Sequence, residues 1–202
     1  MVFHLFHSKA MQAVKFDTIV GFLPVNIHLE QPEKDEIASC FEIRRLEKND
    51  HFIKEGNHVR LIGGVIHGIL YRYNYDRNGK LHIDQFITND HFFTEYKCYK
   101  DNLPSCFNII AITSCEIITI STTKLETLRQ AGPVYDQCIN HTTSNTIDRR
   151  RNIDEMFQHG TKAELIDRFH GYYKPWEPYI CNDLIANFLK MSRTQYYHIR
   201  NN

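Results

Sequence analysis

The sequence has no long hydrophobic run. One of the longer ones, Leu61 to Leu70, is broken by His67 and by glycines, far short of the roughly 20 residues that cross a bilayer. No transmembrane helix is expected. The stretch from Met1 to Val20 carries His4, His7, Lys9, Lys15 and Asp17 through its apolar residues and offers no small-residue cleavage site, unlike a secretory signal; a cytoplasmic protein is expected. The six cysteines, Cys40, Cys98, Cys106, Cys115, Cys138 and Cys181, form no C-x-x-C pair. That spacing excludes a zinc knuckle or an iron–sulfur cluster and predicts buried free thiols. The twelve histidines lack any H-x-x-x-H or H-E-x-x-H spacing, so they read as core and surface residues and not as metal ligands. Charge of one sign is also lacking. The formal net charge is +0, which argues against a protein that grips phosphates over its whole surface. Charge is unevenly placed, however: Lys190, Arg193, His198 and Arg200 lie in a C-terminal tip with no acid, whereas Glu30 to Glu55 is acid-rich.

What is present is an ordinary globular composition. Hydrophobic residues make up 42% and charged residues 24% of 202 residues, enough for one large domain or two modest ones and inconsistent with disorder. Residues 32–43 predict a short surface helix, with Pro32 at its start, acids in its first turn and Ile37, Cys40 and Phe41 at helical spacing. Strand-like segments follow over 44–52, 59–62, 65–75, 81–88, 107–112 and 115–121. Glu55-Gly56-Asn57, Gly63-Gly64, Arg77-Asn78-Gly79 and Asn102-Leu103-Pro104 punctuate them as turns, and Asn78-Gly79 is the strongest hairpin signal. Many short strands without intervening helices imply an antiparallel barrel or jelly roll.

Helices take over after Thr122. The pattern predicts one over 123–130, closed by Gly132, and a second from Pro133 to Phe157. The second has a polar centre around 141–145, so it either bridges domains in solvent or pairs with a copy of itself. Asp148-Arg149-Arg150-Arg151 within it reads as a solvated face, because Asp154 and Glu155 sit among the arginines. A further helix over 163–173 ends before Pro175 and Pro178.

Residues 182–200 read as two helices with a tight joint. Leu184, Ile185, Phe188 and Leu189 make an apolar face, Met191 plugs the joint, and Ser192 is placed to cap the second helix. With Tyr196 and Ile199 turned to the core, Ser192, Arg193, Thr194, Gln195, Tyr197, His198 and Arg200 become the candidate DNA-contacting residues, donors suited to phosphates and purine edges. This segment resembles the helix-turn-helix of the Crp/Fnr family, the regulators related to the cyclic-AMP receptor protein. Ile185, Ala186, Leu189, Met191, Ser192, Ile199 and Arg200 match its signature in kind. Lys190 stands where the turn glycine is usual, and Tyr196-Tyr197-His198 where Leu-Ser-Arg is usual. A lysine can adopt the left-handed turn conformation at a cost of about 1 kcal/mol, and His198 loses the arginine fork that reads guanine. Upstream, residues 46–56 resemble the family's opening strand and turn, and Ile62-Gly63-Gly64-Val65 and Asp76 to Lys80 its second-strand glycine and hairpin.

The resemblance implies an α+β fold: an antiparallel β-roll of the cyclic-nucleotide-binding jelly-roll kind (1–132), a long dimerisation helix (133–158) and a C-terminal helical helix-turn-helix domain (159–202). It implies a non-enzymatic homodimer reading a palindromic site in double-stranded DNA. In nucleotide-binding members a Gly-Glu pair lies against the ribose and an arginine about ten residues on clamps the phosphate. Phe92-Phe93-Thr94-Glu95-Tyr96 resembles that start, but no arginine or lysine occurs around Ser105-Cys106-Phe107. An uncompensated phosphate costs several powers of ten in affinity. Thr94, Glu95, Ser105 and Cys106 are therefore the candidate pocket of an unknown small-molecule effector other than cyclic AMP. No cofactor is expected: haem or iron–sulfur sensing would need an N-terminal cysteine cluster or an axial ligand, and His4 and His7 read as incidental. Two other readings remain open. One is an effector-binding scaffold of the same fold without DNA binding; the other is a cupin-like metalloenzyme using His67, His82 and His91, which lack cupin spacing.

Overall fold

A computed structural model describes residues 14–23, 27–89 and 91–201; His4, His7, Lys9 and Asn202 lie outside them. A short helix α1 (Phe16–Ile19) runs into a 3-10 turn and is followed by α2 (Gln31–Cys40). Helix α2 starts with Pro32 in its first turn and a reciprocal cap, in which the Glu30 and Glu33 side chains each bond the other's backbone N–H. Its apolar spacing buries Ile37, while Phe41 is already extended and buried beyond the helix end.

Eight strands follow: β1 (Glu42–Leu46), β2 (His51–Ile53), β3 (Leu61–His67), β4 (Leu70–Tyr75), β5 (Leu81–Ile87), β6 (Phe92–Phe93), β7 (Asn108–Ala111) and β8 (Cys115–Ser121), with a one-turn helix α3 (Tyr96–Lys100) between β6 and β7. They form two four-stranded antiparallel sheets ordered β1-β8-β3-β6 and β2-β7-β4-β5. Val65, Leu70, Ile87, Phe93, Ile109 and Ile117 fill the space between the sheets, as alternation in half-buried strands requires. The antiparallel roll expected from the turn chemistry is present, with the β4–β5 hairpin closed at Gly79 (φ 75°).

Two details of the strand reading need correction. The 44–52 segment is two strands in different sheets, separated by a turn in which Asn49 has φ 73°. Gly63-Gly64 is no turn: both residues sit inside β3, paired with Phe93 and Phe92 of β6 and with Thr119 and Ile118 of β8. Glycine is needed there for close approach, since a Cβ on Gly63 would meet the Phe93 ring at 2.5 Å. The chain turns instead at Gly68 (φ 108°), packed on Cys115. Among the thiols, Cys98, Cys115 and Cys138 are buried and Cys40 is half-buried, but Cys106 and Cys181 are exposed.

The helices after β8 match the expected segments: α4 (Thr122–Ala131), α5 (Pro133–Met156), α6 (Lys162–Tyr173), α7 (Asn182–Phe188) and α8 (Arg193–Arg200). Helix α5 begins in one core and ends in another. Tyr135 and Cys138 pack with α1, α2 and the outer face of β8, whereas Ile153 and Met156 join β4, β5 and α6 to α8. Between them its surface is polar apart from Ile147, 56% exposed. Strand β5 is one of the two edges of its sheet, and α7 covers it. The Asn187 side chain accepts from Ile83 N–H and donates to the Leu81 carbonyl, both at 2.9 Å, and Phe188 packs at tilted and edge-on angles against Phe86, Phe169 and Tyr173.

Gly63→Ala is expected to lower stability by about 1–3 kcal/mol through overpacking against the buried Phe93 ring. Asn187→Ala, which orphans two backbone groups of β5, is expected to lower it by about 1–3 kcal/mol. Both are read as shifts of the urea midpoint at unchanged slope.

Candidate effector pocket and nucleic-acid interface

Strand β5 holds one residue more than β4 at the hairpin's midpoint. Arg72 pairs with Gln85 and Tyr73 with Ile83, leaving Asp84 as the extra residue of a β-bulge. Bulges re-aim side chains, and this one turns the Asp84 carboxylate onto the Arg72 guanidinium. Arg72 grips it with Nε at 3.0 and 3.1 Å and Nη2 at 2.7 Å, the bidentate geometry that makes arginine–carboxylate pairs strong. The same guanidinium lies 4.0 Å over the Phe107 ring and 3.4 Å from Glu95 Oε2. That last contact lies outside hydrogen-bonding geometry, so Glu95 is paired by charge alone. From α5, Arg150 donates to the Asp84 backbone oxygen at 3.0 Å and lies 3.3 Å from its carboxylate and 3.4 Å from Asp154. Glu95, Arg72, Asp84 and Arg150 thus form a chain of alternating charge from the roll to the long helix.

Glu95 is 7% exposed. Burial pushes its carboxyl above the usual glutamate range, opposed by Arg72, reinforced by Asp84 and opposed again by Arg150. The other candidate pocket residues do not gather around it as receptor groups. Ser105 is buried, but its hydroxyl donates to the Phe107 carbonyl and accepts from the Phe107 N–H. Thr94 lines an apolar cavity on which Glu95 does not border, and Cys106 is exposed. Arg72 and Arg150 escaped sequence reasoning for different reasons. Arg72 comes from β4, distant in sequence from Glu95, and Arg150 lies among acidic neighbours that give it the pattern of a solvated face. Arg151 does fit that description, paired with Asp148 and Glu155. A lone arginine between Tyr71 and Tyr73 in a half-buried strand was the one available signal.

At the C-terminal end, α7 and α8 meet at Lys190, which has φ 56°: the left-handed joint forms without glycine. Lys190 places its ammonium 4.9 Å over the Phe157 ring just past the end of α5. Ser192 caps α8 by accepting from the Gln195 N–H at 3.1 Å, and Tyr196 is fully buried with Ile199 partly so. Ser192, Arg193, Thr194, His198 and Arg200 are exposed, Gln195 and Tyr197 half-exposed. Three of these side chains are tied back within the pair. Arg193 contacts Asp183 at 3.1 Å; Tyr197 accepts from Asn182, which in turn accepts from Arg200 at 2.7 Å; and Arg200 also reaches Glu177, itself bonded to His170 at 2.5 Å.

His67 and His82 lie on strands of different sheets, His82 against Asp76 at 3.1 Å. Among the described residues no three histidines, cysteines or carboxylates cluster as a metal site. No described helix is long and apolar enough to cross a membrane.

No protein-family model matches the sequence, and no curated protein matches it. Solved structures do. The c-di-GMP responsive global regulator CLP of Xanthomonas campestris is 14% identical, with 85% of this chain and 90% of that one aligned at a TM-score of 0.67. FixK2 from Bradyrhizobium japonicum is 11% identical over 79% of this chain and 82% of that one, at 0.64. A transcriptional regulator assigned to the Crp/Fnr family from Eubacterium rectale is 13% identical over 86% and 82%, also at 0.67. The fold is that of the Crp/Fnr-type regulators with their cyclic-nucleotide-binding roll, as the sequence motifs implied.

Because the Glu95 pKa is raised in the folded state, its contribution to stability is fully present below pH 4.5, the ordinary glutamate value, and is lost as pH rises through the folded value. Glu95→Gln lacks that loss. Its urea midpoint is expected to gain on the wild type as pH rises above 4.5; parallel curves would mean that Glu95 titrates normally.

Proposed function

We propose that this chain is a DNA-binding transcription regulator of the Crp/Fnr type, a homodimer that reads a palindromic site and does not respond to cyclic AMP. The observation that carries the reading is the α7–α8 pair. A left-handed joint at Lys190, a serine-capped second helix and a buried Tyr196 leave the outer face of α8 to Ser192, Arg193, Thr194, Gln195, Tyr197, His198 and Arg200. A helix held in this way by a first helix is the unit that enters a major groove. In this reading 1–132 is the sensor, 133–158 the dimer helix and 159–202 the reader. The exposed Ile147 in the otherwise polar middle of α5 supports self-pairing, and the charge chain from Glu95 to Arg150 supports communication between roll and helix.

Support for a lack of response to cyclic AMP comes from where the charges are already committed. Arg72 is held bidentately by Asp84 and faces Glu95, so a cyclic phosphate would have to displace a carboxylate from a 17% exposed guanidinium. A second reading, a scaffold of this fold that has lost DNA binding, draws on the pairing of Arg193 with Asp183 and of Arg200 with Glu177.

Selection of bound duplexes from a random pool at near-physiological salt separates the two. A palindrome with half-sites about one helical turn apart is expected; absence of enrichment favours the scaffold. On the selected site, Arg193→Ala and Arg200→Ala should each flatten the salt dependence of binding by about one unit of slope. Light scattering should give a dimer that Ile147→Glu converts to a monomer, and calorimetric titration with cyclic AMP should show no micromolar binding.

A further inference from the structure

The apolar cavity that Thr94 lines lies outside the charged chain. It is enclosed by α2, β6, α3, α4 and the first half of α5, with Phe41, Phe92, Tyr99, Leu128, Tyr135 and Cys138 among its walls, and it reaches the surface at Tyr96 and Ile147. Its volume is about 120 Å³. Dry apolar cavities of roughly 150 Å³ hold a benzene ring; this one is somewhat smaller but open at one end, so it suits a single ring with one edge toward the opening. Two polar atoms of its lining residues are unusual: Arg129 Nε and Thr142 Oγ1 are both buried and without a hydrogen-bond partner. Unpaired buried polar groups are rare in folded proteins and call for a partner.

The charge around Arg129 narrows the chemistry. Glu126 and Asp136 each lie 3.7 Å from its Nε, close enough to neutralise the guanidinium and too far to bond it. A carboxylate entering beside it would meet two carboxylates, and a cation would give up its hydration shell against an otherwise apolar wall; both are costly. A neutral molecule with one hydrogen-bonding oxygen meets neither penalty. The aromatic walls favour ring edges and faces over a flexible chain.

We propose that this cavity binds a neutral, single-ring aromatic molecule carrying one carbonyl or hydroxyl oxygen, seated among the α4–α5 aromatic residues with its oxygen at Thr142 and Arg129. The proposal rests on the reading of the roll as a sensor for its consequence alone: the cavity opens at Ile147, on the α5 face assigned to the dimer, so occupancy bears on dimer geometry.

The test titrates the full chain, without DNA, with acetophenone and with α-methylstyrene, which has the same shape and no acceptor oxygen, following backbone amide signals by NMR. Saturable shifts are expected for α4, α5 and β6 residues with acetophenone. Thr142→Val should weaken acetophenone about three- to tenfold and leave α-methylstyrene unchanged. Cys138→Phe, which places a ring in the same space, should abolish binding of both while retaining the wild-type circular dichroism. The proposal is overturned if acetophenone gives no saturable shift, if a folded Cys138→Phe still binds it, or if Thr142→Val weakens both probes equally. Should Cys138→Phe fail to fold, the Thr142→Val comparison decides. Since no DNA is present, a negative titration leaves the regulator reading standing, and a failed DNA selection leaves the cavity standing.

Discussion

The edge of β5 is the point on which the arrangement depends. An open strand edge presents unpaired backbone groups that must be covered or blunted, and this edge is covered by α7 through one amide side chain that satisfies a donor and an acceptor together. Around that clasp Phe86, Phe169, Tyr173 and Phe188 interlock. The roll and the C-terminal helices therefore share a core. Once α7 is fixed on β5, the orientation of α8 follows from the joint at Lys190, and the far end of α5 is fixed because Ile153 and Met156 complete the same core.

Local signals in the sequence carried much of this. Asn78-Gly79, Pro133 and Ser192 act through backbone conformation and capping, which neighbours in sequence determine, and each stands where its chemistry placed it; Gly132 also ends α4, but in an extended conformation that needs no glycine. The errors came where tertiary contact outranked local propensity. Gly63-Gly64 has the composition of a turn and the environment of a strand interior, because what the glycines accommodate is the Phe93 ring and the α1 region, not a reversal of the chain. The break between β1 and β2 is carried by Asn49 in a left-handed conformation, a weaker mark than glycine.

The candidate pocket was less legible than the joint. A sequence search for a phosphate clamp asks for a basic residue at a fixed spacing from Glu95, whereas the basic residue beside Glu95 is supplied by β4 and held by a carboxylate that a bulge exposes. Nothing local to Arg72, Asp84 or Arg150 announces their meeting; register does. The unpaired Arg129 and Thr142 atoms are equally silent in sequence, since burial and the lack of a partner are properties of the packed state.

The lysine at the joint carries a mechanical consequence. A glycine there would relieve the backbone and leave the corner a free hinge. Lys190 accepts the left-handed strain and uses its side chain to fasten the corner over Phe157, whose ring also packs on Phe188. The corner between α7 and α8 is thereby bolted to the tip of the long helix. Because the same core seats α7 on β5, a displacement of either the strand or the helix tip is felt by the corner as a whole, like a bracket screwed to two walls.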